Sequence, residues 1–490
     1  MTRPPLAWGP VGAVMAVLAV LLGTTITRYD YHRDELYFRM LGEHPAWGYV
    51  DQPPATPLLA RLAIEVFGDT VWAIRIPALL CVLGVALLAA LIAREVGGGA
   101  LAQGLAAAGT VSTFPLLAGH LLVTATLDLV VWAGVTLLVM RALLRDQPRW
   151  WLPAGALVGV ALYNKHLVVL LLLGLAAGLL LVGPRRVLLS PWLWAGVGLA
   201  VLIGLPNLVY QIVNDFPQLD MAAALAENKG DEARVMFVPM QILALGPPLA
   251  AVWIVGLVRL WRDPDWRPIR SLAVAYPVIC VILLAIAGQF YYTLGLLVAL
   301  YAIGCVPLAR WLTTRARIVL AGALGLLNVA VSVLVALPLL PLSALGGTPI
   351  PGMNQAVADQ VGWPAYVRTV AAAHATLTDA EKARAVIVTG NYGEAGSLDR
   401  YGRRYGLPRV YSGQNELHRL GPPPASADVV IVVFQEGQQL LARAFDRCEI
   451  TGHLDNGVGV DNEEQGAPVR VCRGLRSPWS EMWREFQHFD

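Results

Sequence analysis

The sequence predicts an α-helical polytopic membrane protein that carries a small soluble α/β domain at its C-terminal end. Of its 490 residues, 57% are hydrophobic and only 14% are charged, whereas a soluble chain usually carries about 25% charged residues. Apolar segments near the length needed to cross a bilayer, roughly 20 residues each, recur as far as residue 340. After residue 350, polar residues return and the apolar segments shorten to strand length.

About eleven apolar segments are predicted to cross the membrane as helices, because open strands cannot satisfy their backbone groups in lipid. These segments are residues 8–27, 71–93, 101–117, 129–144, 152–163, 167–182, 192–210, 237–257, 271–287, 293–308 and 318–340. The predicted multi-pass membrane domain is therefore 1–345, and the predicted soluble domain is 346–490.

Arginines mark every second predicted loop. The basic loops contain Arg94, then Arg141, Arg145 and Arg149, then Arg185 and Arg186, then Arg259, Arg262, Arg267 and Arg270, then Arg310, Arg315 and Arg317. The positive-inside rule places these loops in the cytoplasm. An odd number of spans then gives a cytoplasmic N-terminus and an extracytoplasmic C-terminal domain in a plasma (inner) membrane. The net charge of +2 comes without a basic stripe, which argues against a nucleic-acid partner.

The first outer loop, residues 28–70, concentrates acidic, aromatic and proline residues. Asp30, Asp34, Glu35 and Asp51 lie there beside tyrosines, His32 and a Pro-Pro pair. A rigid acidic and aromatic loop at a membrane surface is typical of a pocket for a polar ligand. An alternative interpretation is that the acids only pair with the arginines of the same loop, Arg28, Arg33 and Arg39.

Two motifs in this loop carry a family resemblance. The Asp34-Glu35 pair follows the first span, and residues 48–54 read Gly-Tyr-Val-Asp-Gln-Pro-Pro. Together with the alternating topology, they resemble the polyprenyl-phosphate-dependent glycosyltransferases of the membrane GT-C class. Within that class, the chain is most similar to glycosyltransferase family 39, the protein O-mannosyltransferase-like and lipid A aminoarabinose transferase-like enzymes. The resemblance covers roughly residues 8–310.

The resemblance implies a GT-C fold and an inverting glycosyltransferase. The implied donor is a polyprenyl-phosphate sugar, and the implied acceptor is a hydroxyl of a lipid, glycan or protein on the outer face. A carboxylate must take the proton of that hydroxyl. Asp34 matches the family's first-loop acid and is the predicted base, with Glu35 orienting it or taking the role. Asp51 matches the acid before the family's Gln-Pro-Pro segment and is predicted, with Gln52, to bind substrate.

Further predicted donor-binding residues lie at the outer ends of later spans. Asp128 matches the family's second-loop acid, although a carboxylate at a helix start is also favoured by the helix dipole. Lys165 and His166 lie in an outer turn, where Lys165 suits a phosphate contact or snorkels to lipid headgroups. Tyr291 and Tyr292 match a family segment that ends in tyrosine, or belong to an interfacial aromatic belt.

Two features of the family pattern stay open in this chain. The tyrosine segment usually carries a nearby lysine or arginine, whereas this chain has Gln289, so His166 or Arg234 is expected to replace that phosphate contact. Metal use is also open. Asp34, Asp51 and Asp128 offer the oxygen ligands that a divalent cation such as Mg, Mn or Ca prefers.

The C-terminal segment predicts strands at 385–389, 409–411 and 428–434 and helices at 355–374 and 396–405, an alternation typical of a partly parallel sheet. Residues 391–396 and 411–415 follow strand ends, where α/β sheets bind ligands, although turn formation also explains their Gly, Asn and Ser. Cys448 and Cys472 are the two cysteines of this domain, and an extracytoplasmic location permits disulfides. A Cys448–Cys472 bond is therefore predicted, with two free thiols on separate strands as the alternative.

A multi-pass transporter or flippase of a lipid-linked or polar solute is the alternative function. Such a protein typically has broken helices and ionisable residues near the middle of the membrane, in related halves. Here the predicted site residues, Asp34, Glu35, Asp51, Asp128 and Lys165, all lie at the outer boundary. The pattern therefore favours the transferase.

Overall fold

The computed structural model describes residues 3–490, and up to residue 336 the described chain is helical apart from its connections. Fifteen α-helices follow one another: α1 Trp8–Thr25, α2 Arg33–Gly42, α3 Ala55–Phe67, α4 Val71–Glu95, α5 Ala100–Ala108, α6 Thr113–His120, α7 Thr124–Leu144, α8 Trp151–Ala161, α9 Val168–Leu181, α10 Pro191–Val213, α11 Pro217–Leu243, α12 Pro247–Arg262, α13 Ser271–Ala285, α14 Leu294–Trp311 and α15 Arg315–Ala336. Short 3-10 helices connect some of them, at Pro148–Trp150, Arg185–Leu189, Pro264–Ile269 and Phe290–Thr293.

Every predicted span coincides with helix, but not all of these helices have the length of a full span. By length and composition, six described helices can cross a membrane: α1, α4, α7, α10, α14 with its preceding 3-10 turn, and α15. The pairs α5–α6 and α11–α12 are bent by 66° and 88° and raise the number to eight if each pair is one span. Helices α9 and α13 are apolar but shorter. The count of about eleven therefore stays a prediction.

The sharper bend has a local cause. Gly246 joins α11 to α12 with φ +92°, a conformation that residues with a Cβ rarely adopt. Asn328 of α15 fills the space beside Gly246 and donates from Nδ2 to the Leu245 carbonyl over 3.1 Å. Two prolines then open α12, where a missing backbone N–H costs nothing. The predicted span 237–257 is therefore interrupted by a fixed corner.

One end of the helix bundle gathers arginines around a single buried glutamate. Glu95, at the C-terminal end of α4, pairs with Arg3 at 3.0 Å, Arg141 at 3.2 Å and also with Arg145. Arg75, near the start of α4, lies about 30 Å away along the helix axis, at 1.5 Å per residue. The structure thus places Arg3 and the basic end of α7 on the same side of the bundle, as the alternation of arginines predicts.

The C-terminal domain contains a five-stranded sheet covered by helices. Its helices are α16 Leu342–Leu345, α17 Ile350–Met353, α18 Gln355–Ala358, α19 Trp363–Ala375, α20 Asp379–Lys382, α21 Tyr392–Gly402, α22 Asn415–Arg419, α23 Gln438–Ala444 and α24 Trp479–Met482. Its strands are β1 Ala385–Thr389, β2 Val410–Ser412, β3 Val429–Val433, β4 Phe445–His453 and β5 Pro468–Leu475. The strand order is β2-β1-β3-β5-β4, with β1 parallel to β2 and β3 and the remaining pairs antiparallel. The partly parallel sheet is confirmed.

Strands β4 and β5 were not predicted from the sequence. Strand β4 alternates exposed charged residues with few apolar ones, so it lacks the apolar run that marked β1 and β3. The two strands pair opposite each other, and Cys448 faces Cys472 in the register. The structure joins these two cysteines in a disulfide.

The first outer loop is buried beneath the C-terminal domain. Gly396 of α21 lets that helix approach α2, where a Cβ would lie 2.7 Å from Leu36 Cβ. Trp363 Nε1 donates to the Tyr31 carbonyl over 2.9 Å, and Arg39 pairs with Asp399 at 2.6 Å. The first loop and the domain therefore share one hydrophobic core.

Candidate active site

The helix that begins the first outer loop fixes where its acids point. His32 precedes α2, and its Nδ1 accepts a hydrogen bond from the Asp34 backbone N–H. Glu35 Oε2 accepts a hydrogen bond from the His32 backbone N–H over 2.8 Å, which completes a capping box. Because adjacent residues on a helix point in different directions, Asp34 and Glu35 enter different environments.

Glu35 is committed to a buried ion pair. Its carboxylate and the Arg75 guanidinium are both fully buried, with Arg75 Nε 3.0 Å from Oε1 and Nη2 3.0 Å from Oε2. The Leu122 backbone N–H donates to Oε1 over 3.0 Å. These donors occupy the Glu35 carboxylate, and Glu35 does not line the cavity described below. The geometry therefore favours Asp34 over Glu35 as the base, and a catalytic role for Glu35 stays a prediction.

Asp34 instead opens onto a cavity between the membrane helices and the C-terminal domain. Its side chain retains 30% exposure, and Tyr392 Oη of α21 donates to Oδ1 over 3.0 Å. Burial raises the pKa of the Tyr392 phenol well above its usual value, so this tyrosine remains a donor. One carboxylate oxygen of Asp34 is thus held while the other remains free.

The cavity has a volume of about 340 Å³, and we call it the interface cavity. Its walls are Asp34, Tyr37, Phe38, Asp51, Gln52, Thr124, Lys165, Met221, Leu225, Lys229, Gln289, Tyr291, Tyr292, Tyr392, Asn415 and Asp490. A second cavity of about 390 Å³ runs along β2 and α21. It includes Tyr411 and Ser412 of the strand-end segment 411–415 but none of the predicted catalytic or donor-binding residues. We therefore place the candidate site at the interface cavity.

Asp51 is the second acid of the interface cavity. Tyr37 Oη donates to its Oδ1 over 3.1 Å. Desolvation by the surrounding protein raises the pKa of Asp51 to about 7, against the opposing effect of the Tyr37 hydrogen bond. Asp51 is therefore partly protonated at neutral pH. The neighbouring Gln52 side chain is buried, and its Nε2 has no hydrogen-bond partner within residues 3–490, so it offers a free donor to a ligand.

The cations of the cavity are lysines. Lys165 Nζ lies 4.8 Å from the centre of the Tyr292 ring and 5.5 Å from that of Tyr291. Lys229 enters from α11 and pairs with Asp490 at 2.6 Å. The chain contains three lysines in all, and two of them line this cavity.

Asp128 and His166 lie beside the interface cavity rather than on its wall. Asp128 Oδ1 accepts from Asn164 Nδ2 over 3.2 Å, and Asp128 shares a small adjoining space with Tyr291 and Tyr292. His166 Nε2 is 2.8 Å from Asn207 Oδ1, so it supports the helix packing. Direct binding of a ligand in the cavity by either residue would need rearrangement.

Lys229, and neither His166 nor Arg234, lines the interface cavity together with Lys165. Arg234 Nη1 pairs with Asp231 at 3.3 Å on the outside of α11, away from the cavity. Lys229 lies in α11, and it lines the cavity together with Met221 and Leu225 of the same helix. The signal that could have found Lys229 is the rarity of lysine in the sequence.

The arginines of the first loop do not neutralise the site acids by direct ion pairs. Arg33 pairs with Glu463, and Arg39 pairs with Asp69 and Asp399. Arg28 donates from Nη1 to the Leu339 carbonyl over 3.0 Å. The three guanidinium groups instead attach the loop to its surroundings, which leaves Asp34 and Asp51 available to a ligand.

The structure gives no direct support for a metal site at Asp34, Asp51 and Asp128, the three carboxylates that could offer oxygen ligands to a divalent cation. Among the residues that the structure describes, no group of three or more His, Cys, Asp or Glu side chains is arranged to hold a metal ion. Asp34 and Asp51 line the interface cavity, but Asp128 lies in the adjoining space. A role for Mg, Mn or Ca therefore stays a prediction, which a chelator tests.

Comparison with known proteins supports the resemblance seen in the sequence. Residues 51–210 match the family described as dolichyl-phosphate-mannose-protein mannosyltransferase. The crystal structure of ArnT from Cupriavidus metallidurans bound to undecaprenyl phosphate has a TM-score of 0.62 at 16% identity, over 95% of this chain and 98% of that one. Its apo form gives the same TM-score and coverage at 17% identity. No curated protein sequence matches the chain. The chain is thus a membrane-embedded, multi-pass protein with the fold of a GT-C enzyme.

Proposed function

We propose that this chain is a glycosyltransferase that moves a sugar from a polyprenyl-phosphate donor to an acceptor hydroxyl, with inversion at the anomeric carbon. The observation that carries the proposal is the interface cavity, which brings a partly exposed carboxylate, Asp34, together with two lysines at the edge of an apolar helix bundle. The match over 51–210 and the ArnT-like fold support it. The bound undecaprenyl phosphate of that ArnT structure is the class of lipid that we expect here.

The reaction follows from the wall of the cavity. The acceptor oxygen attacks the anomeric carbon, and its proton passes to the free oxygen of Asp34. The bond between that carbon and the phosphate oxygen breaks, and its electron pair leaves on the polyprenyl phosphate. Lys165 and Lys229 hold the departing charge, as preorganised cations do for a leaving phosphate. A single displacement without an enzyme nucleophile inverts the centre.

The other cavity residues position the sugar. Gln52 has a free buried donor, and Asp51, partly protonated at neutral pH, can donate to or accept from a sugar hydroxyl. Tyr291 and Tyr292 form an aromatic wall next to Lys165, against which the apolar face of a sugar ring or the first isoprene unit can pack.

The proposed location is a plasma (inner) membrane, with the N-terminus in the cytoplasm and the active site outside. The supporting observation is that the arginine cluster around Glu95 and the interface cavity lie at opposite ends of α4 and α7, and that the positive-inside rule assigns the former to the cytoplasm. Residues 1–345 would then form the membrane domain and residues 346–490 an extracytoplasmic domain that closes the site. The transporter alternative is not favoured, because the ionisable residues of the cavity sit at the boundary with the soluble domain.

The experiment is transfer from undecaprenyl phosphate carrying a hexose or a pentose, with purified protein in lipid nanodiscs. Release of undecaprenyl phosphate is measured by mass spectrometry. Asp34→Asn is expected to lower turnover by about 10²–10⁴-fold, the usual contribution of a general base, while undecaprenyl phosphate still binds. Asp146→Asn, an exposed carboxylate at the opposite end of α7, is the control. Wild-type turnover in Asp34→Asn would show that Asp34 is not the base. No turnover of the wild-type protein with any donor would contradict the proposed function.

A further inference from the structure

A stacked pair of tyrosines holds Asp34 and Asp51, two of the three acids that line the interface cavity. Tyr392 Oη donates to Asp34 over 3.0 Å, and Tyr37 Oη donates to Asp51 over 3.1 Å. The two rings stack with centroids 4.6 Å apart and an interplanar angle of 25°. One tyrosine comes from the first outer loop and the other from the C-terminal domain, so the arrangement exists only when the domain is docked.

Tyr392 is itself fixed from several sides. It is the first residue of α21, whose N-cap Asn391 forms a capping box with Glu394. The Tyr392 backbone N–H donates to Gln414 Oε1 over 2.7 Å, and the Arg33 guanidinium lies 4.8 Å from the ring centre. A side chain restrained this way can hold its partner in one orientation at little further entropic cost.

The orientation of the Asp34 carboxylate depends on the hydrogen bond from Tyr392. Within residues 3–490, the Tyr392 phenol is the one hydrogen-bond donor to the Asp34 carboxylate, since His32 Nδ1 lies 4.0 Å from Oδ1. Without the Tyr392 hydrogen bond, the partly exposed Asp34 side chain could rotate about χ1 and χ2. A base must lie within hydrogen-bond reach of the acceptor proton, and small misplacements of reacting groups cost large factors in rate.

We infer that Tyr392 is a positioning residue that orients the Asp34 carboxylate for proton transfer, so that the C-terminal domain completes the active site. This inference rests on the proposed function. It assigns a task to the segment 391–396, which the sequence identified only as a strand end suited to ligand binding. The residue acts through Asp34 and does not need to touch substrate.

The chain offers a matched control for this inference. Tyr401 lies on the same helix, and its Oη donates to Asp30 of the first loop over 2.5 Å. Neither Tyr401 nor Asp30 lines the interface cavity. Tyr401→Phe therefore removes a comparable tyrosine–carboxylate bond across the same domain interface without touching the base.

The test compares Tyr392→Phe, Tyr401→Phe and wild type in the nanodisc assay with undecaprenyl-phosphate sugar, alongside their Tm. We expect Tyr392→Phe to lower kcat by about tenfold to a hundredfold, the size of a lost hydrogen bond to a charged group, with the KM for the donor unchanged. Tyr401→Phe should keep kcat within about twofold of wild type at a similar loss of Tm. If both variants lose kcat equally and in proportion to their loss of Tm, Tyr392 only stabilises the domain interface and the inference is wrong.

A double variant separates failure of this inference from failure of the proposed function. If Tyr392 acts through Asp34, then Asp34→Asn with Tyr392→Phe should be no slower than Asp34→Asn alone, because residues that act as a unit are not additive. Multiplied losses would overturn the inference and leave the function standing. A wild type without turnover, or an Asp34→Asn variant with full turnover, would overturn the function and with it the inference.

Discussion

Replacing Glu35 with glutamine tests whether the two adjacent acids of the first loop have different roles, Asp34 as the base and Glu35 as a structural ion-pair partner. In the folded protein, Glu35 accepts hydrogen bonds from Arg75, the Leu122 N–H and the His32 N–H in a fully buried setting. Glutamine has a similar volume but no charge, and its amide nitrogen would face donors. Removing one partner of a buried ion pair typically costs about 3–5 kcal/mol, because the remaining charge is left uncompensated.

The measurement is thermal unfolding of Glu35→Gln in detergent, beside the transfer assay on the fraction that stays folded. The control is Glu65→Gln, because Glu65 pairs with Arg61 on the protein surface and exposed pairs contribute only about 0–1 kcal/mol. We expect a large fall in Tm for Glu35→Gln, almost none for Glu65→Gln, and turnover in the folded Glu35→Gln fraction. A wild-type Tm with turnover abolished would make Glu35 the base and refute this account of the loop.

Three further predictions follow from the geometry. Burial raises the pKa of Glu394 to about 8, so near pH 6 the folded state binds a proton that the unfolded state has lost. Raising the pH from about 6 to about 9 should therefore lower the Tm of wild type more than that of Glu394→Gln. Equal falls in Tm would contradict a raised pKa of Glu394. Cys448 and Cys472 should resist maleimide in denatured, non-reduced protein and label after reduction, and labelling before reduction would exclude the bond. Lys165→Ala should weaken undecaprenyl phosphate binding more than Lys165→Arg, with the same order at Lys229, because charge near the phosphate is what matters; unchanged affinity would leave both lysines as surface residues.

The sequence located much of the membrane half of the site. Asp34, Asp51, Gln52, Lys165 and the tyrosine pair at 291–292 were predicted separately, and the structure places all of them on one cavity wall. Asp34, Asp51, Gln52 and the tyrosine pair were recognisable because they resemble motifs of glycosyltransferase family 39. Lys165 was recognisable because a lysine is unexpected in an outer turn under the positive-inside rule. Strands β1 and β3 were recognisable for a different reason, since their runs of four and five consecutive apolar residues are typical of buried strands.

The remaining features depend on contacts that no local pattern contains. Glu35 and Arg75 are 40 residues apart in sequence, and only the fold shows that they form a buried ion pair, which favours Asp34 over Glu35 as the base. Tyr392 lies 358 residues from Asp34, and a tyrosine at a helix start has no signature that reveals its partner. The bend at Gly246 likewise depends on Asn328 in α15, so a hydropathy pattern reads the region as one straight span.

Arginines and lysines occupy different places in this structure: arginines stabilise the fold, whereas lysines line the candidate site. Arginine forms the permanent contacts, as at Arg75 and Arg39, where a planar group with five donors satisfies several fixed acceptors at once. The interface cavity uses Lys165 and Lys229 instead. Lysine is a compact charge on a flexible stem, and its binding to a phosphate does not demand a bidentate geometry. Such a contact suits a lipid phosphate that enters as a diester and leaves as a monoester with one more negative charge. The flexible ammonium groups can adjust to this change of charge without a change in the contacts that hold Asp34.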